Sequence, residues 1–171
     1  MKYMEKGGFQ THPLMRLTLL WTVAFLTGLW VTNFLFYFSK MGLAPQSVVN
    51  YYNGSETLFT QPRSFEAMLE VTHFHLPMMA IVILLLTHLL IFAPWPNGLK
   101  VGFISLTFGS ALLEEGSGWL VRFVHPGFAI LKIVSFLLFQ ALMAFLLLAL
   151  ALFLIDSASE KEKSSPRKMS R

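Results

Sequence analysis

Four runs of apolar residues, each long enough to cross a bilayer, dominate the sequence and leave little else for it to fold into. They extend over about 14–38, 64–92, 99–121 and 127–155. At 1.5 Å of rise per residue each helix would span a hydrocarbon layer of roughly 30 Å. With 55% of 171 residues hydrophobic and 13% charged, there are too few polar side chains to cover a soluble surface. The expectation is an all-α integral membrane protein, an antiparallel four-helix bundle over residues 1–155 with a polar tail at 156–171. The first run lacks a small-residue cleavage site and is too long for a signal segment, so it reads as a retained anchor.

The boundaries have local causes. Pro13 suits a first helical position, and Ser64 can cap the helix that begins "SFEAMLE". "APWPNG" (93–98) and "HPG" (125–127) are tight turns, which makes their flanking helices antiparallel neighbours. In the 41–63 loop, "APQSVVNYY" has the makings of one or two helical turns, ended by Asn53-Gly54. Lys2, Lys6 and Arg16 flank the first run, Lys100 lies beside the 93–98 turn, and Lys161, Lys163, Arg167, Lys168 and Arg171 follow the fourth. The positive-inside rule then puts both termini in the cytoplasm, in a bacterial inner membrane, with the 41–63 loop facing outward.

Chemistry is bounded by what is missing. Zero cysteines exclude thiolate zinc, cysteine-held iron–sulfur clusters, covalently attached haem and disulfides. No nucleotide loop or nucleophilic triad is visible. The net charge of +4 resides largely in the two ends, where it suits lipid headgroups and calls for no nucleic acid. Any metal or cofactor must be held by His, Glu, Asp, Met or backbone.

Such residues gather in the second and third runs. At 3.6 residues per turn, Glu66, Glu70, His73, Pro77, Ile81, Leu84 and His88 form one stripe. Because lipid cannot solvate ionisable groups, this stripe is expected to face the interior, with His75 about 200° round from His73 and facing elsewhere. His73 and His88 are separated by roughly 22 Å of rise, one near each side of the membrane. Pro77 removes a hydrogen bond to the His73 carbonyl and is expected to kink the helix. In the third run Gly102, Gly109 and Gly116 recur every seven residues, a stripe that would let a helix or a flat cofactor approach the backbone. Glu114 and Glu115 lie nearby, as does Lys132 in the fourth run. With Arg122 they read as internal charge pairing and snorkelling.

Here the chain resembles four-helix membrane cytochromes b. That class holds two haems on widely spaced histidines of one helix, with glycines on neighbouring helices making room. The resemblance implies haem b on His73 and His88, against Gly102, Gly109 and Gly116. The family's two further histidines are not matched on a second helix, which leaves His125 on one side and His12 on the other as candidate ligands, or a ligand from a partner chain. The implied role is an electron-transfer subunit of an oxidoreductase complex. It would work between quinol and a periplasmic redox protein, with Glu114 or Glu115 accepting a proton.

Two other readings stand beside it. Glu70-x-x-His73 has the spacing used in carboxylate-bridged di-iron bundles, and with His75, His125, Glu114 and Glu115 it would make a non-haem iron or copper site. Alternatively the chain is a cofactor-free accessory subunit of a larger membrane complex, whose contacts with other membrane subunits include His75 and the 41–63 loop.

Overall fold

The structure is a computed structural model that describes residues 13–91 and 95–164, with side chains described as far as Ile155. Helix α1 runs over Pro13–Lys40, α2 over Pro45–Asn53, α3 over Phe65–Leu90, α4 over Asn97–Phe123 and α5 over Ala129–Ser164, the last preceded by a 3-10 turn, Pro126–Phe128. Apart from a Ser55–Thr60 bridge, the described residues contain no β pairing. Among the described residues three segments, Pro13–Lys40, Phe65–Leu90 and Pro126–Ile155, are long and apolar enough to cross a membrane. Helix α4 is comparably long but is not among these, because it carries Lys100, Glu114, Glu115 and Arg122.

The expected caps form. Ser64 Oγ accepts the Ala67 amide at 3.1 Å to open α3. His125 Nδ1 accepts the Gly127 amide at 3.0 Å and starts the 3-10 turn. Gly54, at φ +78°, ends α2, and Arg63 donates its amide back to the Tyr52 carbonyl at 2.9 Å. The loop is thereby folded over the end of the helices. Helix α3 runs unbroken through Pro77. Helix α5 continues to Ser164, beyond the expected boundary at 155, because Ala, Glu and Lys in "SASEKEK" are good helix formers.

The most extensive packing joins α4 to α5. It uses the face Thr107, Ser110, Ala111, Ser117, Gly118 and Val121, all buried. The hydroxyls of Thr107, Ser110 and Ser117 bond carbonyls of their own helix, at 2.7–3.0 Å, and so present a small, satisfied surface. This corrects the glycine expectation. A Cβ added at Gly102, Gly109 or Gly116 would meet nothing within 4 Å, so that stripe opens outward and the close approach is made by Ser, Thr, Ala and Gly118 instead. Helix α1 packs on α5 through Leu19, Val23, Leu26 and Trp30, and α3 contributes Ile83, Leu86 and Leu90 to the same core.

At the α2 end a second core gathers Tyr37, Val48, Tyr52, Met68, Val121, Ile133 and Phe136. Gly118 is the tight point. A Cβ there would lie 2.7 Å from the Tyr52 hydroxyl oxygen and 2.8 Å from its ring. Gly118→Ala is therefore expected to lower stability by about 1–3 kcal/mol through overpacking. Gly116→Ala, in open space, should leave it within about 1 kcal/mol of the parent. Thermal unfolding of the two variants in the same detergent checks the contrast.

Candidate functional site: a polar-headed cleft between α1 and α3

Helix α1 is held mainly by α5, and α3 by α4 and α5. The two outer helices therefore stand either side of a cleft whose floor is α5. Its cavity holds about 550 Å³. Leu29 and Phe36 of α1, and Val71 and Met78 of α3, line it and are exposed, so it opens sideways at the protein surface. At the α2 end it is closed by Tyr51, Tyr52 and Arg63, the Arg63 guanidinium lying 4.4 Å from the Tyr51 ring centroid.

The polar end is built by α4 and α5. Lys132, one turn into α5, is 5% exposed. Its ammonium pairs with the Glu114 carboxylate and donates to the Glu114 backbone carbonyl at 2.7 Å. One side chain thus satisfies both the charge and the carbonyl, as a buried cation requires. Tyr52 lies against the same ammonium. Burial raises its phenol to about 12, outweighing the opposing pull of Lys132. Because the folded value exceeds that of a free phenol, this contribution to stability is complete below about pH 10 and fades as pH rises towards 12.

Glu115, the next residue, points about 100° away and meets α3. It accepts from the Thr72 hydroxyl and pairs with His75 Nδ1 at 3.0 Å. Thr72 in turn accepts from Trp119 Nε1 at 2.9 Å. The His75 side chain is half exposed, against 11% for Glu115, so this network runs from the packed α3–α4 interface into the cleft. Deeper along α5, Gln140 is 3% exposed and lines the same cavity. Its backbone carbonyl accepts Trp30 Nε1 at 3.0 Å and pins α1 to the floor.

The histidine faces are the reverse of those expected. His75 turns towards α4, whereas Glu66, Glu70, His73, Pro77, Ile81, Leu84 and His88 all lie on the exposed side of α3. The buried side is Met68, Ile83, Leu86, Thr87 and Leu90. An apolar helix in lipid has little contrast to orient it, and small or hydrogen-bonding residues select the packed face instead. The proposed haem ligands are thus spread around the chain: His73 and His88 outside, His125 exposed in the 3-10 turn, and His12 outside the described residues. The proposed metal ligands are divided as well. Glu70 and His73 face outward, Glu114 serves Lys132, and Glu115 serves His75 and Thr72. Among the described residues no three His, Cys, Asp or Glu side chains are grouped to hold a metal ion.

Thr72, Trp119, Tyr52 and Gln140 were not singled out from sequence. Gln140 alone carried a signal, as an uncharged polar residue within the most apolar run.

Residues 42–163 match the family model Aq_1264_TM, a transmembrane helical domain. The chain belongs to that family. The Aq_1264_TM match takes in α2 to α5, and with them Lys132, Glu114, Glu115, His75 and Gln140, while α1 lies before it. No curated protein and no solved structure matches the chain.

The Lys132–Glu114 pair gives a direct test. Lys132→Met strands a buried carboxylate and is expected to destabilise the protein by about 3–5 kcal/mol. Adding Glu114→Gln to it should recover a large part of that loss. A double-mutant cycle measured by thermal unfolding reads both effects.

Proposed function

We propose that the protein is a membrane-embedded subunit of an electron-transfer assembly whose cleft receives the polar head of a lipid-soluble amphipathic molecule. The molecule's tail leaves sideways between α1 and α3 into the bilayer. The observation that carries this reading is the cleft's composition: Glu115, His75 and Gln140 on one apolar-walled space of about 550 Å³ with an opening at the helix surface. Ligand sites of this size combine apolar walls with a few placed polar groups. In this reading α4 also crosses the membrane, completing a four-span antiparallel bundle. Its pairing with Lys132, Thr72 and His75 supports that placement, since both central carboxylates have partners inside the protein. In the same reading, the basic residues of the two ends and Lys100 lie on the cytoplasmic side of a bacterial inner membrane and α2 on the periplasmic side, as the positive-inside rule favours.

A second reading rests on the exposed face of α3. Lipid is a poor environment for Glu70 and His73, so another membrane subunit would cover that face. The helices other than α3 carry no histidine from Pro13 onward. A b-type haem on His73 or His88 would therefore sit at a subunit interface, with its second ligand from the partner, and would pass electrons towards a periplasmic acceptor.

The cleft is tested by photolabelling the full chain in lipid nanodiscs with a diazirine-bearing alkylphenol. Adducts are expected to concentrate at Leu29, Phe36, Val71 and Met78. Labelling spread evenly over lipid-facing residues such as Phe25, Ile130 and Leu148 would contradict it. For the haem, the complex purified with its native partners should show a reduced-minus-oxidised b-type band that His73→Ala or His88→Ala removes. Absence of the band from that complex ends the haem reading.

A further inference from the structure

We infer that the molecule held in the cleft is an anionic phospholipid, its phosphate on Arg63 and Lys40 at the α2 end and an acyl chain along the apolar walls. This rests on the cleft reading above and adds the chemical class of the head.

The starting observation is a charge left over. Three cationic side chains, Lys40, Arg63 and Lys132, and two carboxylates, Glu114 and Glu115, line the cavity. Lys132 and Glu114 take each other, and Glu115 is taken by His75 and Thr72. Neither Arg63 nor Lys40 has a carboxylate partner among the described residues. Each lies against an aromatic ring instead, Arg63 4.4 Å from the Tyr51 centroid and Lys40 5.8 Å from that of Phe36. Such a contact meets part of the charge and leaves N–H donors of both groups for another partner. Asn33 and Tyr51 add neutral donors to the same lining.

The two cations come from the two helices that flank the cleft. Lys40 is the last residue of α1, and Arg63 stands just before the Ser64 cap of α3. Arg63 is set by its backbone, whose amide donates to the Tyr52 carbonyl at 2.9 Å and whose carbonyl accepts Arg122 Nε at 2.8 Å. From this end the lining of α1 continues inward through Phe36 and Asn33 to Leu29. At 1.5 Å per residue that is about 16 Å, half of a hydrocarbon layer of roughly 30 Å. The cleft is thus as deep as one leaflet. Met78, Met79 and Met143 along it are adaptable side chains suited to a flexible chain.

The head follows from the charges. A phosphate presents oxygens on several sides, so one group can meet donors from both helices, and a guanidinium matches it bidentately. A zwitterionic head brings an ammonium as well. Both lining carboxylates are already paired, so that ammonium would gain no partner and would stand beside Arg63 and Lys40. A neutral head leaves both cations unmatched. The leftover charge therefore selects a lipid whose head is negative overall.

The test is native mass spectrometry of the full chain, delipidated in neutral detergent, with phosphatidylglycerol or phosphatidylcholine of the same acyl chains. Phosphatidylglycerol is expected to be held about tenfold more tightly. Arg63→Gln with Lys40→Gln should remove that preference, whereas Lys100→Gln, at the opposite end, should leave it unchanged. Lys40→Gln alone, at an exposed helix end, serves should the double variant unfold, and is expected to lower the preference about threefold. Val71→Trp, which fills the cleft from its exposed wall, should weaken phosphatidylglycerol, and equimolar inorganic phosphate should not displace it. Equal binding of the two lipids, or a preference unchanged in the folded Arg63 and Lys40 variants, overturns the inference. So does a preference that survives Val71→Trp or yields to inorganic phosphate, because the contact is then with the head alone. In each case alkylphenol labelling of the cleft keeps the cleft reading standing. If neither alkylphenol nor phospholipid enters, both are overturned.

Discussion

A lysine ammonium 5% exposed at the head of a membrane-spanning helix has to be compensated where it stands, and the rest of this structure is arranged around how that is done. Lys132 takes both the carboxylate and the carbonyl of Glu114, which sets the height of α5 against α4. One turn along α4 from Glu114, Gly118 leaves room for the Tyr52 ring, and α2 lies across the end of the pair. With that end filled by α2 and its loop, α1 and α3 find their contacts on α5 and α4 and leave a cleft between them. The ion pair is a building element, and the cleft follows from the packing around it.

The polar groups of the membrane-embedded part then divide by what surrounds them. Lys132 and Glu114 are turned to each other and have little capacity left. Glu115, His75 and Gln140 line the cleft beside that pair and are not consumed by it. Glu66, Glu70, His73 and His88 lie on the outward side of α3, where lipid or a second subunit must meet them. In the proposed function these surroundings correspond to holding the fold, receiving a ligand and meeting a partner. Residue type alone does not separate them, since a glutamate occurs in each group.

Much of the scaffold was legible in the sequence. Ser64, Gly54 and the "HPG" turn mark their boundaries through backbone chemistry that acts locally, and α2 lies where "APQSVVNYY" suggests it. What the sequence misread was orientation. Polar periodicity on the second run points to the wrong face, because in a helix apolar all round the packed face is chosen by fit, by Met68, Thr72 and Ile83 against α4 and α5. The glycine heptad misled in the same way, because Thr107, Ser110 and Ser117 bury their hydroxyls on their own carbonyls and pack as closely as glycine would. His75 was set apart from His73 correctly. Which of the two met a carboxylate depended on Glu115, on another helix, and no local pattern encodes that.

The account depends on which side of α3 faces the protein. A nitroxide scan along α3 measures this directly, and the absence of native cysteine makes each label unique. The account predicts high oxygen accessibility at His73, Ile81, Leu84 and His88, and low accessibility at Met68, Ile83, Leu86 and Leu90. The opposite phase, with the His73–His88 stripe shielded in the isolated chain, would contradict it.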